Sequence, residues 1–335
     1  MEVITLERKT IYDVALGAKV SLATVSRVLN NPEKVKPETR DRVMKVIDKL
    51  GYRPNAIARG LASRKSTTVG VIVSDMTRAS IAEMLGGICD IAKKYKYTIK
   101  LFSIGEFDDV NNVLKDVVAE QVDGVLYLND ELNDFEIKTV VNTFKNDPTK
   151  IVFCNVASSF PEIPSVGIDY ERASYEVTKR AIEKGRKDIY LISTARRYAV
   201  NDLKEKGYCQ AMMDHNLEPK ILRTSGDTEI NRPYFTEFLK NNKIDAAIAV
   251  RDSIAVSFLN IARELKFRIP EDICIAGFQN TKYASLSRPM LSCIDIPVYD
   301  IGAVSMRLLT KLMQNEEVRD LIIKLPHVFV ERETL

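Results

Sequence analysis

With 335 residues, 45% of them hydrophobic, the chain is long enough for two or three domains with cores of their own, and no apolar run approaches the ~18 residues a bilayer demands. The net charge of +3 conceals an uneven distribution: residues 1–68 carry 14 Lys and Arg against 7 Asp and Glu, and the remainder is mildly acidic. A basic head on an acidic body is the footprint of a module that meets phosphate.

The opening stretch MEVITLERKT lacks the basic, apolar and small-residue succession of a signal peptide, so a cytoplasmic, nucleoid-associated protein that does not enter the membrane is expected. Thr10-Ile11-Tyr12-Asp13 predicts the start of a first helix, with Thr10 as cap and Asp13 reaching back to it. Ile11, Val14 and Ala15 supply an apolar face, and Gly17-Ala18-Lys19-Val20 is read as the tight turn into Ser21. The stretch Ser21–Asn30 then predicts a second helix, capped by the Ser21 hydroxyl, with Val25, Val28 and Leu29 on one face that must be buried. Leu22, Ala23, Ser26 and Arg27 fall on the other side, with Thr24 and Asn30 at its margins.

Small residues around one arginine suit a major groove: Arg27 can offer two parallel donors to a guanine, and Leu22 and Ala23 can meet thymine methyls. Asn30-Asn31-Pro32 ends the helix, asparagine tolerating the left-handed region and proline breaking the ladder. A third helix runs from Pro37 to Leu50, its Val43, Val46, Ile47 and Leu50 covering the other two, and Gly51 terminates it. This is helix–turn–helix grammar. Tyr52–Ser63 is helix-compatible but short and carries an interior glycine. It reads either as a hinge that folds on DNA, with Leu61 as a minor-groove wedge and Arg59 near phosphate, or as a plain linker.

The stretches TIYDVA from Thr10, VSLATVSRVLN from Val20 and YRPNAIARGLAS from Tyr52 resemble the head and hinge of the LacI/GalR transcription regulators. The resemblance implies a homodimer on double-stranded operator DNA. Residues matching Leu22, Ala23 and Arg27 would read bases, and those matching Thr10, Tyr12, Ser21, Thr24 and Asn30 would hold phosphates. Asn55 and Arg59 join the DNA-binding set, and the residue matching Leu61 would kink the operator's centre.

From Val69 the period changes. Thr68–Val73 is a continuous β-branched run, as in a strand covered on both faces. Helical stretches (81–94, 110–120) then alternate with strands near 97–102, 123–128, 151–153 and 165–169, and the alternation restarts with strands near 189–192, 220–223, 245–250 and 273–277. The expected fold class is α/β: a helix–turn–helix head (1–53), a hinge (54–67), and a two-lobed core of parallel sheets (68–335). The resemblance implies a periplasmic-binding-protein-like core, with crossings near 165, 294 and 324 and a cleft between the lobes.

In such a fold a small molecule would bind at the carboxyl ends of the strands. The residues there depart from the sugar-responsive pattern of the family: Lys204 replaces a common arginine, Phe278-Gln279-Asn280 replaces Asp-Asp, and Arg251-Asp252 replaces Asn-Asp. Arg78, Lys204, Arg251 and Gln279 are the candidate effector residues, and two arginines with a lysine fit an anionic ligand or none. Tyr299–Lys311 (YDIGAVSMRLLTK) further resembles a catabolite-control subfamily of the same regulators. On a helix Tyr299, Asp300, Ala303, Val304, Arg307 and Lys311 form one strip, with Arg307 and Lys311 a turn apart and able to face one phosphate. The resemblance implies that this strip receives the seryl phosphate of the carrier protein HPr, with Tyr299 and Asp300 completing the contact; otherwise it is a solvated basic pair.

Cys89, Cys154, Cys209, Cys274 and Cys293 are odd in number and never form C-x-x-C, which predicts buried thiols and neither a disulfide framework nor a zinc site. No nucleophile–base motif, metal motif or phosphate loop is present, and Gly86-Gly87 lies within a helical pattern. The expectation is a regulator with no catalytic residue, metal or cofactor. The rival within that class is a repressor controlled by a sugar, phosphosugar or other small anion in the cleft.

Overall fold

The computed structural model describes residues 9–53, 66–105, 109–128, 131–157 and 160–335. Asn55, Arg59 and Leu61 lie outside the described residues. The chain divides into two compact units, Met1–Ser66 and Thr67–Leu335.

The first unit holds α1 (Ile11–Ala18), α2 (Leu22–Asn30), a 3-10 turn at Pro32–Lys34 and α3 (Pro37–Leu50). Thr10 and Asp13 form a reciprocal cap on α1, with the Thr10 amide donating to the Asp13 carboxylate at 2.7 Å. Val14, Ala15, Ala18, Val25, Val28, Val43 and Ile47 make the small core. Two local readings are corrected. The left-handed residue between α1 and α2 is Lys19 (φ 53°), whereas Gly17 lies inside α1. Its lack of a side chain admits Val46 of α3, whose Cγ1 would stand 2.9 Å from an added Cβ. Asn31 ends α2 at φ −145°, outside the left-handed region. The stop comes from Pro32, as its place in the sequence implied, and from the 3-10 turn that it opens.

The second unit has two lobes. The first contains β1 (Thr68–Val73), α4 (Ala79–Lys94), β2 (Thr98–Ser103), α5 (Val110–Ala119), β3 (Gly124–Leu128), α6 (Asp134–Phe144), β4 (Lys150–Cys154) and β5 (Ser165–Ile168). The second contains α7 (Tyr170–Glu183), β6 (Ile189–Thr194), α8 (Ala199–Asp214), β7 (Lys220–Thr224), α9 (Thr228–Asn241), β8 (Ala246–Ala249), α10 (Asp252–Glu264), β9 (Cys274–Gln279), α11 (Lys282–Leu286) and β10 (Ser292–Asp295). The chain then returns to the first lobe with α12 (Val298–Met313) and β11 (Ile322–Leu325), and ends in the second with β12 (Val328–Val330).

The first sheet runs β11-β5-β4-β3-β1-β2, parallel throughout; the second runs β12-β10-β9-β8-β6-β7, with only β12 antiparallel. Apolar runs such as Val125–Leu128 and the largely β-branched Val69–Val73 are buried on both faces because helices cover both sides.

Three crossings join the lobes, at Asp169, at Ile296–Pro297 and at Pro326–His327. Lys324 Nζ donates to Asp169 Oδ2 at 3.0 Å, tying the third crossing to the first. In the first lobe α4 and α12 cross with their backbones nearly touching. A Cβ on Gly87 would lie 2.1 Å from the Tyr299 carbonyl oxygen, and one on Gly302 would lie 2.1 Å from that of Met84. Gly87 is thus a helix-crossing residue, and the crossing sets where α12 presents its outer strip. Cys154, Cys274 and Cys293 are buried, but the expectation of five buried thiols fails at Cys89, exposed on α4, and Cys209, half-buried on α8. Among the described residues no helix is long and apolar enough to cross a membrane.

Candidate nucleic-acid interface and partner surface

Ser21 Oγ accepts from the Thr24 amide at 3.2 Å and lies 2.9 Å from Thr24 Oγ1, so the cap fixes the first turn of α2. With Val25 and Val28 buried, Leu22, Ala23, Ser26 and Arg27 are exposed together on the opposite side. Among the described residues no carboxylate pairs with Arg27. Asn30 Nδ2 donates to Ser26 Oγ at 3.3 Å at the end of this face. On α1 Tyr12 is 68% exposed, and Leu16, one turn further on, is 81% exposed. Leu16 was not singled out in the sequence, although helical periodicity sets it four residues after Tyr12 and off the Ile11–Val14–Ala15 face.

The interlobe cleft holds a polar recess of about 220 Å³, lined among others by Arg78, Glu131, Arg251, Asp252 and Gln279. Arg251 Nη1 donates to Glu131 Oε1 at 2.7 Å, and Arg78 Nη1 lies 3.5 Å from the same oxygen. Gln279, at φ 102°, ends β9 almost fully buried. Burial pushes the Asp252 carboxyl above its ordinary value, against the Thr281 amide and hydroxyl that donate to it at 2.7 and 2.6 Å.

Lys204 does not line this recess. It is 1% exposed beneath it, donating to the Val250 carbonyl at 3.0 Å, with Nζ about 5 Å from the Phe278 and Tyr170 rings. A side chain long enough to reach the end of β8 satisfies its charge there. The expectation of three cations facing an anionic ligand is therefore corrected to two arginines that share a carboxylate.

On α12 Tyr299, Asp300, Arg307 and Lys311 are exposed, whereas Ala303 leaves the strip for the crossing with Gly87. Among the described residues neither Arg307 nor Lys311 forms an ion pair. The Tyr299 hydroxyl donates to Asp90 Oδ2 on α4 at 2.6 Å, which raises the phenol's pKa and anchors the ring over the crossing. Asp90 is a member of this surface that sequence reading missed, 209 positions away.

Residues 10–55 match the family described as "Bacterial regulatory proteins, lacI family", and residues 178–335 match a periplasmic binding protein-like domain. The chain is 39% identical over 327 residues to catabolite control protein A of Priestia megaterium, covering 95% of this chain and 96% of that protein. The chain belongs to the LacI family of bacterial transcriptional regulators.

Within the LacI family its core is similar to that of the transcription regulator CcpA of Lactococcus lactis, whose crystal structure matches at 31% identity and a TM-score of 0.72 over 80% of this chain and 98% of that one. A lac repressor dimer bound to operator and the anti-inducer ONPF shares the fold, with a TM-score of 0.88 at 22% identity over 98% of this chain and 99% of that one. The exposed face of α2 is accordingly the outer face of a LacI-family DNA-binding head, and these relatives are named as regulators of transcription, not as enzymes.

Proposed function

We propose that this LacI-family regulator acts in carbon metabolism as a cytoplasmic homodimer on a pseudo-palindromic operator, and that a seryl-phosphorylated HPr-like protein docking on α12 tightens its grip on DNA. In this reading Leu22, Ala23 and Arg27 contact bases, while Thr10, Tyr12, Ser21, Thr24 and Asn30 hold phosphates. Residues 1–53 form the head, and 54–67 a hinge in which Leu61 wedges the minor groove beside Asn55 and Arg59. The core, 68–335, carries the switch. Tyr299, Asp300, Arg307 and Lys311 receive the phosphoprotein.

The observation that carries the placement of the switch is a contrast in charge. Arg307 and Lys311 are exposed one turn apart without a carboxylate partner among the described residues, while Arg78 and Arg251 in the cleft share Glu131. A phosphoseryl group carries about −1.5 to −2 charges at neutral pH and takes an arginine fork and a lysine together. A corepressor that prefers the DNA-competent arrangement shifts the population toward it.

The test is operator affinity by fluorescence anisotropy at fixed salt, with and without seryl-phosphorylated HPr. Tightening in the parent protein and its loss in Arg307→Ala are expected. An unchanged affinity with phospho-HPr, together with a response to one sugar phosphate, would move the switch into the cleft.

A further inference from the structure

The segment that follows β3 binds the two lobes at three points. Glu131 pairs with Arg251, Glu136 pairs with Arg196, and the Ala199 amide donates to the Leu132 carbonyl at 2.9 Å. The strap is stiffened from within. Asn133 caps α6 through the Glu136 amide at 3.0 Å, and Glu136 Oε2 accepts from the Asn133 amide at 2.9 Å. Of its two ion pairs the first is the less exposed. The side chains of Arg78, Arg251 and Glu131 are 14%, 16% and 29% exposed, well withdrawn from screening by salt.

The Glu131 carboxylate sits among positive groups in a recess that Asp75 and Asp252 also line. Arg78 stands at the N-terminus of α4 in the first lobe and Arg251 at that of α10 in the second. The first turns of both helices, Ala79-Ser80 and Asp252-Ser253, line the same recess. Two guanidinium groups and two positive helix ends therefore converge on one place. Gly226, at φ +84°, makes room for the second arginine, since a Cβ there would stand 2.7 Å from Arg251 Nη2.

We propose that the interlobe cleft is an anion site whose ligand is the chain's own Glu131. The carboxylate bridges arginines from opposite lobes and holds them together without a small molecule. An external oxyanion enters only by displacing Glu131, so binding one and releasing the strap are a single event. The cleft thereby acts as an intramolecular latch that engages both arginines.

The experiment uses the full-length protein without DNA. Inorganic phosphate is titrated by calorimetry while hydrogen exchange is read at the Ala199 amide and across residues 131–136. Glu131→Gln, which keeps the shape and removes the charge, is expected to bind phosphate about tenfold or more tighter than the parent. It should also exchange faster along the strap, and phosphate, which replaces the carboxylate without re-tying the strap, should leave that exchange fast. Arg251→Met should loosen the strap equally, with no gain in phosphate binding. Unchanged strap protection in Glu131→Gln, or phosphate binding to the parent as tightly as to that variant, would overturn the proposal.

Discussion

Helices α2 and α12 both turn basic side chains outward, yet they are held in opposite ways. Helix α2 has 9 residues and rests on Val25 and Val28 with Leu29 half-buried, leaving a whole face of small residues around Arg27 open. Helix α12 has 16 residues, more than half of them buried, and is locked against α4 through Gly87 and Gly302. A continuous face on a small helix suits insertion into a groove, where many shallow contacts add up. A few long side chains on a locked helix suit one point contact with a phosphate, where position matters more than area. Among the described residues neither Arg27 nor Arg307 pairs with a carboxylate, whereas the cleft arginines share Glu131.

The difference in packing is the easiest part of this contrast to break. Gly302→Ala puts a methyl group 2.1 Å from a backbone oxygen that cannot rotate away, and an unfolding free-energy loss of about 3 kcal/mol is expected in denaturant melts of the core. Gly17→Ala meets only the Val46 side chain, and alanine gains up to about 1 kcal/mol in a helix, so the head's stability should change by less than about 1 kcal/mol. Equal losses at both glycines would erase the distinction.

Next in size, Arg27→Ala should cost about 1–3 kcal/mol of operator affinity and relax discrimination at the base pair it reads. A parent-like ratio between operator and scrambled DNA would show that Arg27 touches only backbone.

The smallest effect sharpens the charge comparison with an exposed arginine that does have its carboxylate. Hydrogen bonds from Arg268 hold the Asp272 carboxyl at about 2, below the ordinary 3.8. Because the folded value is depressed, the pair's contribution to stability is complete above pH 3.8 and is lost as pH falls toward 2. An NMR titration should show the Asp272 midpoint near 2 in the parent and nearer 3.8 in Arg268→Met. The same midpoint in both would remove Arg268 as the cause.

How far each feature was legible in the sequence follows from how local it is. The cap at Ser21, the buried Val25 and Val28 and the exposed Arg27 are set within one stretch of ten residues, and all could be read there. Central strands such as β1 and β3 were legible because a strand buried on both faces needs an unbroken apolar run, whereas β10, β11 and β12, the last two short and half-exposed, were not read as strands. Lys204 was misplaced because its position on α8 says nothing about the reach of Nζ to Val250. Gly17 was read as part of a turn, and Gly87 was read correctly within a helix but without its role, because the helices that press against them are distant in sequence.

The sequence by itself determined the helix–turn–helix head, the two αβ series of the core and the family, since each is written in short-range periodicity and contiguous motifs. Only the tertiary structure decided which charges are free. Glu131 reaches Arg251 across 120 positions and Tyr299 reaches Asp90 across 209, and such pairs exist only once sheets and crossings have brought distant segments together. A charge's availability depends on what stands opposite it, and a linear pattern carries no record of that.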